Sequence, residues 1–228
     1  MIGYLASIIL AALTPEAPLL DSPVPESLDP DYKACTDKVR MNVADGRRAA
    51  TLWVNAGGGP PAHHCLAVAD LAAGFPKLAA IRLEDLAARE EAGDALIRAR
   101  LYSQAALAWL EAKEPALAEK AVGAAFAAAP DADELYLIAA KVYAAGDKQQ
   151  ATIDAVTTAE ERGYKSADCY VLRGRALHAL ARHREAAEDV VNALTLDPAN
   201  LDALVLRGDL YQAGIEIDAY YTDVEGNP

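Results

Sequence analysis

Two consecutive stretches of 34 residues carry the same pattern: residues 133–166 read DELYLIAAKVYAAGDKQQATIDAVTTAEERGYKS and residues 167–200 read ADCYVLRGRALHALARHREAAEDVVNALTLDPAN. A large side chain stands at the fourth position of each stretch (Tyr136, Tyr170) and a small residue at the eighth (Ala140, Gly174). Sequence periods of about 20–50 residues are typical of repeat architectures. The pattern therefore predicts an array of similar units.

The same pattern extends to units that begin at residues 99, 133, 167 and 201. Positions 4, 8 and 11 of a helix share one face, so a small residue between two large ones lets a neighbouring helix approach closely. In the four units these positions are large, small and large: Tyr102, Ala106, Trp109; Tyr136, Ala140, Tyr143; Tyr170, Gly174, Leu177; Leu204, Gly208, Tyr211. The second half of the first three units has valine at position 24 and alanine at position 27: Val122, Ala125; Val156, Ala159; Val190, Ala193.

In period and residue types the array resembles the tetratricopeptide repeat (TPR) family. The resemblance implies an all-α fold, an α-solenoid of antiparallel helix pairs wound as a right-handed superhelix. Residues 99–228 are predicted to form the array, with a truncated unit from residue 201, and residues 32–98 a degenerate TPR-like region. Two features depart from the pattern: Thr152 replaces a small apolar residue, and the turn at Gly146 and Asp147 is predicted one residue early.

Helices are predicted upstream at about 32–42, 46–56, 61–73, 76–91 and 94–111. A glycine-rich stretch, Gly57 to Pro61, separates the second and third of these. A phosphate-binding loop requires a preceding strand and a following Gly-Lys-Ser/Thr, which are both missing from the sequence. We interpret the stretch as the end of one helix and the start of the next.

The composition limits the functional classes. Hydrophobic residues make up 53% of the chain but aromatic residues only 6%, and the formal net charge is −13. Nucleic acid binding usually requires a basic patch, which the sequence does not show, so no nucleic acid partner is predicted. The acidity either maintains solubility or attracts basic partners.

The N-terminal region differs from the array. Residues 1–20 contain an apolar run, 2–13, too short to span a bilayer, so we expect no membrane span in the mature chain. Its length suits a signal peptide, although the first basic side chain is Lys33; a weak anchor or a simple tail are the alternatives. Residues 21–31 are predicted to be a Pro-rich linker. A bacterial protein exported to the periplasm, or secreted, is expected, with a cytoplasmic protein as the alternative.

The resemblance also implies a function. In TPR proteins the first helix of each unit lines a concave groove, so we expect a non-enzymatic scaffold that binds a protein or peptide there, without cofactor, metal or catalytic residues. The sequence lacks the Lys and Asn clamp that binds chaperone tails. The groove residues implied are Arg100, Ser103, Leu107, Glu134, Leu137, Lys141, Asp168, Val171, Arg175, His178, Asp202, Val205 and Asp209.

Two other functions remain open at this point. His63, His64 and Cys65 could support a metal-binding or catalytic protein, but adjacent helical residues point about 100° apart and do not converge on one ligand. The second alternative is a self-associating envelope-assembly factor. The sequence does not predict the oligomeric state. A basic cluster around His178 and His183 is interpreted as a solvated face that balances nearby acidic residues.

The cysteines lead to the first testable prediction. Export would place the chain in an oxidising compartment, and equivalent helices of neighbouring solenoid units pack side by side. Cys35 and Cys65 lie in the first and third predicted helices, so we expect a disulfide between them and a free, packed thiol at Cys169. Alkylation and mass spectrometry of protein made in an oxidising compartment test this, and two alkylated thiols at Cys35 and Cys65 would contradict it.

Overall fold

The computed structural model describes residues 30–217, which form eleven α-helices and no strand. The predicted all-α solenoid is therefore confirmed. The helices are α1 (Pro30–Met41), α2 (Val43–Asn55), α3 (Gly59–Ala72), α4 (Pro76–Ala87), α5 (Ala95–Glu111), α6 (Pro115–Ala128), α7 (Glu134–Ala145), α8 (Gln149–Glu161), α9 (Ala167–Ala179), α10 (His183–Leu196) and α11 (Leu201–Gln212). The helix predicted to reach residue 91 ends earlier, and a short 3-10 helix, Glu90–Ala92, follows it.

The chain divides into two compact units, Met1–Pro130 and Asp131–Pro228. In unit 1 consecutive helices from α1 to α6 pack against each other, and α1 also packs against α3. In unit 2 the pairs α7–α8 and α9–α10 pack together, and the first helices α7, α9 and α11 lie side by side. Each unit is thus a series of helix pairs. The predicted signal peptide and most of the predicted linker lie outside the described residues.

Helix starts follow local sequence signals. Proline occupies the first turn of α3, α4 and α6, where its missing N–H costs no helical hydrogen bond. The side chains of Asn42, Asp94, Ser166 and Asn200 accept hydrogen bonds from backbone N–H groups in the first turns of α2, α5, α9 and α11. Replacing such a cap by alanine typically costs about 1 kcal/mol.

The turns between the two helices of a pair correct one sequence interpretation. Lys113, Asp147 and Ala181 each adopt a positive φ, between 56° and 61°, directly after α5, α7 and α9. These residues are spaced by 34 positions, so the turn at Gly146 and Asp147 is not early, as the sequence suggested. Because the left-handed conformation ends each first helix at the same position, the repeat keeps its period there.

In the first three repeats, the small residues of the eighth position lie at the helix contacts. Ala106 and Ala140 are fully buried. At Gly174 an added Cβ would lie 2.9 Å from Leu206 Cδ2 and 3.3 Å from Asp189 Cβ, so α9 contacts α10 and α11 at this point without room for a side chain. Thr152 is fully buried as well, and its hydroxyl donates to the carbonyl of Lys148, which explains why a polar residue is tolerated there.

One buried carboxylate connects three helices of unit 1. Asp70 of α3 is fully buried, and Arg47 Nε of α2 and Arg82 Nε of α4 each donate to one of its oxygens at 2.6 Å. A buried charge without partners would be strongly destabilising, so both arginines must approach α3 in a fixed orientation. Asp70 therefore specifies how α2 and α4 pack on α3.

Unit 2 contains a similar network centred on Arg173 of α9. Its guanidinium pairs with Asp189 of α10, at 2.8 Å from Nη2, and with Glu160 of α8, at 2.7 Å from Nη1. The hydroxyl of Tyr170 donates to Glu160, and the guanidinium lies over the Tyr170 ring, 5.6 Å from its centroid. The hydrogen bonds with Asp189 raise the pKa of Arg173. A permanent cation thus holds α8, α9 and α10 in register.

A chain of buried hydrogen bonds crosses the first, third and fifth helices. The Tyr32 hydroxyl donates to His64 Nδ1 at 2.8 Å, and His64 Nε2 donates to Gln104 Oε1 at 2.7 Å. Gln104 Oε1 can only accept, so Nε2 carries a proton; in the neutral imidazole that burial favours, Nδ1 then accepts from the Tyr32 hydroxyl. Burial lowers the pKa of His64, an effect that the hydrogen bond to Gln104 opposes.

We predict that Gly174→Leu lowers the thermal stability of the protein. The new side chain would overlap Leu206 and Asp189, and overpacking of this kind typically costs about 1–3 kcal/mol. Thermal unfolding followed by circular dichroism measures the effect. Gly123→Leu is the matched control, since a Cβ at this helical glycine would meet nothing within 4 Å. Equal melting temperatures for the two variants would contradict the packing described.

We also predict that His64 makes the stability depend on pH. In the unfolded chain a histidine titrates near pH 6.5, whereas the pKa of folded His64 is lower, so the unfolded state binds more protons at mildly acidic pH. The stability contributed by neutral His64 is present above about pH 6.5 and decreases as the pH falls below it, by up to about 1.4 kcal/mol per pH unit.

The measurement is the free energy of unfolding in urea at several pH values between 5 and 8. We expect a shallower pH dependence in His64→Gln than in the unmodified protein. His63→Gln is the control, because His63 is only partly buried although burial also lowers its pKa. If His63→Gln removes the pH dependence and His64→Gln does not, the assignment to His64 fails.

Candidate functional site

The predicted groove residues of unit 2 lie on α7, α9 and α11. Within each helix positions 2, 5 and 9 share a face, and the three helices lie side by side. Arg175 Nη2 of α9 is 2.7 Å from Asp202 Oδ1 of α11. Position 9 of one 34-residue repeat therefore meets position 2 of the next repeat. We call this surface the first-helix face; it comprises Glu134, Leu137, Lys141, Asp168, Arg175, His178, Asp202, Val205 and Asp209.

The first-helix face is more acidic than basic. Four carboxylates, Glu134, Asp168, Asp202 and Asp209, stand against two cations, Lys141 and Arg175. Arg175 and Asp202 neutralise each other within the protein, and the remaining carboxylates still outnumber the remaining cation. This balance favours ligands that carry positive charge.

The apolar part of the first-helix face is smaller than the sequence predicted. Val205 is 57% exposed and Leu137 is partly buried, but Val171 is only 4% exposed. Val171 belongs to a core cluster with Tyr170, Ala193 and Ala203 and is not available to a ligand. Position 5 of α9 is therefore a core position, because α11 packs close to α9.

Three further predicted residues, Arg100, Ser103 and Leu107, lie on α5 in unit 1. Ser103 is buried, and its hydroxyl donates to the carbonyl of Ala99 at 3.0 Å. Arg100 and Leu107 are partly buried. Within unit 1, Arg100 and Leu107 therefore lie at the surface, whereas Ser103 does not.

The basic cluster of unit 2 is largely paired. Arg182 forms two hydrogen bonds to Glu185, at 2.7 and 2.6 Å, and Asp189 pairs with Arg173. His178 of the first-helix face contacts His183, with 3.0 Å between their Nδ1 atoms. The sequence did not reveal this pairing, because the turn at Ala181 brings the two rings together.

The residues His63, His64 and Cys65 do not form a common site. His64 is fully buried and both of its ring nitrogens are hydrogen-bonded, while His63 Nε2 lies 3.4 Å from Arg89 Nη1. Within residues 30–217 no three His, Cys, Asp or Glu side chains are grouped so that they could hold a metal ion. The geometry therefore gives no support to a metal centre at these residues.

The structure places the sulfur atoms of Cys35 and Cys65 at disulfide-bonding distance, with 6.4 Å between the Cα atoms. Both residues lie in a core cluster with Tyr32, Val39 and Leu66. Cys169 of α9 is a buried free thiol.

Among residues 30–217, no helix has the length and apolar character needed to cross a membrane.

Sequence reasoning missed a groove of about 690 Å³ on unit 1, formed by α2 and the turn between α3 and α4. Its lining includes the exposed Leu52 and Phe75 together with Arg47 and Arg48. Arg47 lies 5.0 Å from the centroid of the Phe75 ring. No local motif marks this groove, because its residues come together only through packing.

Comparison with known proteins gives structural neighbours only. No protein-family model matches the chain, and no curated protein matches it. Among solved structures, YrrB, described as a TPR protein with an unusual peptide-binding site, has a TM-score of 0.59 at 13% identity, covering 81% of this chain and 93% of its own. The protein TTC0263 of Thermus thermophilus, also a TPR protein, has a TM-score of 0.56 at 17% identity, covering 80% and 97%.

A third neighbour is MamA of Desulfovibrio magneticus RS-1, with a TM-score of 0.61 at 16% identity over 75% of this chain and 95% of its own. At these identities the similarity establishes the fold alone. Together with the 34-residue period and the buried small residues of the helix contacts, it shows that the chain has the tetratricopeptide-repeat fold.

Proposed function

We propose that this protein is a non-enzymatic interaction scaffold that binds a peptide segment of a partner protein on the first-helix face. The observation that carries the proposal is the alignment of α7, α9 and α11, with Arg175 and Asp202 joined across it and Val205 exposed beside them. YrrB, a neighbour in fold, is described as having a peptide-binding site.

The surface defines the ligand by its chemistry. An apolar side chain of the peptide would cover Val205 and Leu137, and basic side chains would meet the carboxylates of Asp209 and Asp168. Extended and helical peptides both offer side chains at suitable spacing. A basic, amphipathic segment is therefore the ligand that this surface favours.

Export to an oxidising compartment, such as a bacterial periplasm, is part of the same proposal. Two observations support it: the apolar run near the N-terminus, and the bonding distance between Cys35 and Cys65. Disulfides persist mainly in such compartments. A Cys35–Cys65 disulfide in protein isolated from its own cells would therefore support export, and two reduced thiols would speak against it.

We predict that Val205→Glu weakens partner capture from native extract at least tenfold. The substitution removes apolar contact and adds a negative charge to an already acidic surface. Val191→Glu is the matched control, since Val191 is similarly exposed but lies on α10, outside the first-helix face. A partner captured equally by both variants binds elsewhere, and this result would contradict the proposal.

A further inference from the structure

Two histidines of unit 2 stand in direct contact through their rings. The Nδ1 atoms of His178 and His183 are 3.0 Å apart, and the ring centroids are 4.8 Å apart. Both residues are half-buried. The other two histidines differ, since His64 is fully buried with both ring nitrogens hydrogen-bonded and His63 lies against a guanidinium. Within residues 30–217, the His178–His183 pair is therefore the place where two imidazoles meet.

The turn between α9 and α10 positions the pair. His178 lies in the last turn of α9, and His183 is the first residue of α10. Between them Ala181 adopts a positive φ of 58° and reverses the chain. Leu177 of α9 and Ala186 of α10 are buried in one core cluster. The backbone positions of the two histidines are thus fixed relative to each other by packing on both sides of the turn.

The contact between the rings is a hydrogen bond that a metal ion can replace. In a neutral pair, one Nδ1–H donates to the other Nδ1. If the donating ring moves its proton to Nε2, both Nδ1 lone pairs become free to bind a metal. Neither Nε2 of the pair has a hydrogen-bond partner in the part of the chain that the structure describes. The exchange therefore costs no contact other than the Nδ1–Nδ1 hydrogen bond.

The distance between the Nδ1 atoms indicates which metal fits. Two metal–imidazole bonds of about 2.0–2.1 Å place their nitrogens about 2.9 Å apart at a right angle and about 3.3 Å apart at a tetrahedral angle. The observed 3.0 Å is close to the right-angle value. Right angles are typical of the tetragonal sites of Cu²⁺ and Ni²⁺, whereas Zn²⁺ prefers tetrahedral sites.

The charges around the pair are compatible with a bound cation. Arg182 is neutralised by Glu185, at 2.6 Å, so Arg184 is the cation that opposes the ion most directly. His178 stands at the C-terminal end of α9, where the helix dipole favours positive charge, and His183 at the N-terminal end of α10, where it does not. These two effects offset each other. The net charge of −13 attracts cations to the chain as a whole.

We propose that His178 and His183 form an exchangeable site for a divalent transition-metal ion that prefers tetragonal geometry, Cu²⁺ or Ni²⁺. The two Nδ1 atoms occupy adjacent coordination positions. A cavity of about 340 Å³ beside His183 leaves room for water molecules in the remaining positions. Within residues 30–217 no third His, Cys, Asp or Glu side chain joins the pair, so the ion binds reversibly. The bound ion connects the two helices of the third repeat.

The experiment is a calorimetric titration of Ni²⁺ into the full chain without a histidine tag. We expect one ion per chain, and binding at least tenfold weaker in His178→Ala and in His183→Ala. His63→Ala is the matched control and should bind normally, because its ring lies against Arg89 and not against a second imidazole. The double variant His178→Ala/Ala179→His keeps four histidines but turns one ring by about 100° around α9, so it should bind as weakly as His178→Ala.

Thermal unfolding provides a second readout. Ni²⁺ should raise the melting temperature of the unmodified protein but not that of the His178 and His183 variants, because an ion held by the folded turn stabilises the folded state. Melting temperatures without metal show whether the variants fold. Titrations with Cu²⁺ and Zn²⁺ test the geometry, and we expect Cu²⁺ to bind more tightly than Ni²⁺ and Zn²⁺ more weakly.

Three results would overturn the proposal. They are absence of saturable Ni²⁺ binding, a loss of binding in His63→Ala as large as that in His178→Ala, and tighter binding of Zn²⁺ than of Ni²⁺. Val205→Glu should bind Ni²⁺ normally, since Val205 does not touch the pair. The outcome is therefore independent of the peptide-binding proposal for the first-helix face.

Discussion

The close approach of helices at the eighth position of the first three repeats is the constraint on which the rest of the structure depends. Ala106, Ala140 and Gly174 place at most a methyl group between the first helix and its neighbours. Only at this short distance do the valines at position 24 and the alanines at position 27 of the second helices become buried. The shape of each pair follows from these small residues, because close-packed interiors tolerate little extra volume.

Buried polar groups then determine which packing is adopted. Alanine-rich faces are uniform and would permit helices to slide, whereas Asp70, Arg173 and His64 are satisfied only in one arrangement. Removing one partner would leave a buried charge or donor unpaired, which costs far more than the pair contributes. Apolar burial thus provides most of the stability, and these networks provide the register.

The helices and their periodicity were predictable because the same residue types recur at fixed positions, and each type has a local physical reason. Contacts between helices were not. Val171 has the sequence of a groove residue but is covered by α11, and the partners of Arg173 lie 13 and 16 residues away on different helices. The turn at Asp147 was misjudged because residues other than glycine adopt a positive φ only uncommonly, and composition does not reveal that this one does.

The placement of the three cysteines has a consequence for biosynthesis. Cys35 and Cys65 are separated by 30 residues within unit 1, whereas Cys169 lies far downstream in unit 2. Because domains generally fold from the N-terminus during synthesis and short loops close more readily, the first two thiols meet before the third emerges. Burial in α9 then shields Cys169 from exchange. The order in which the chain emerges therefore favours the pairing of Cys35 with Cys65 over the pairing of either with Cys169.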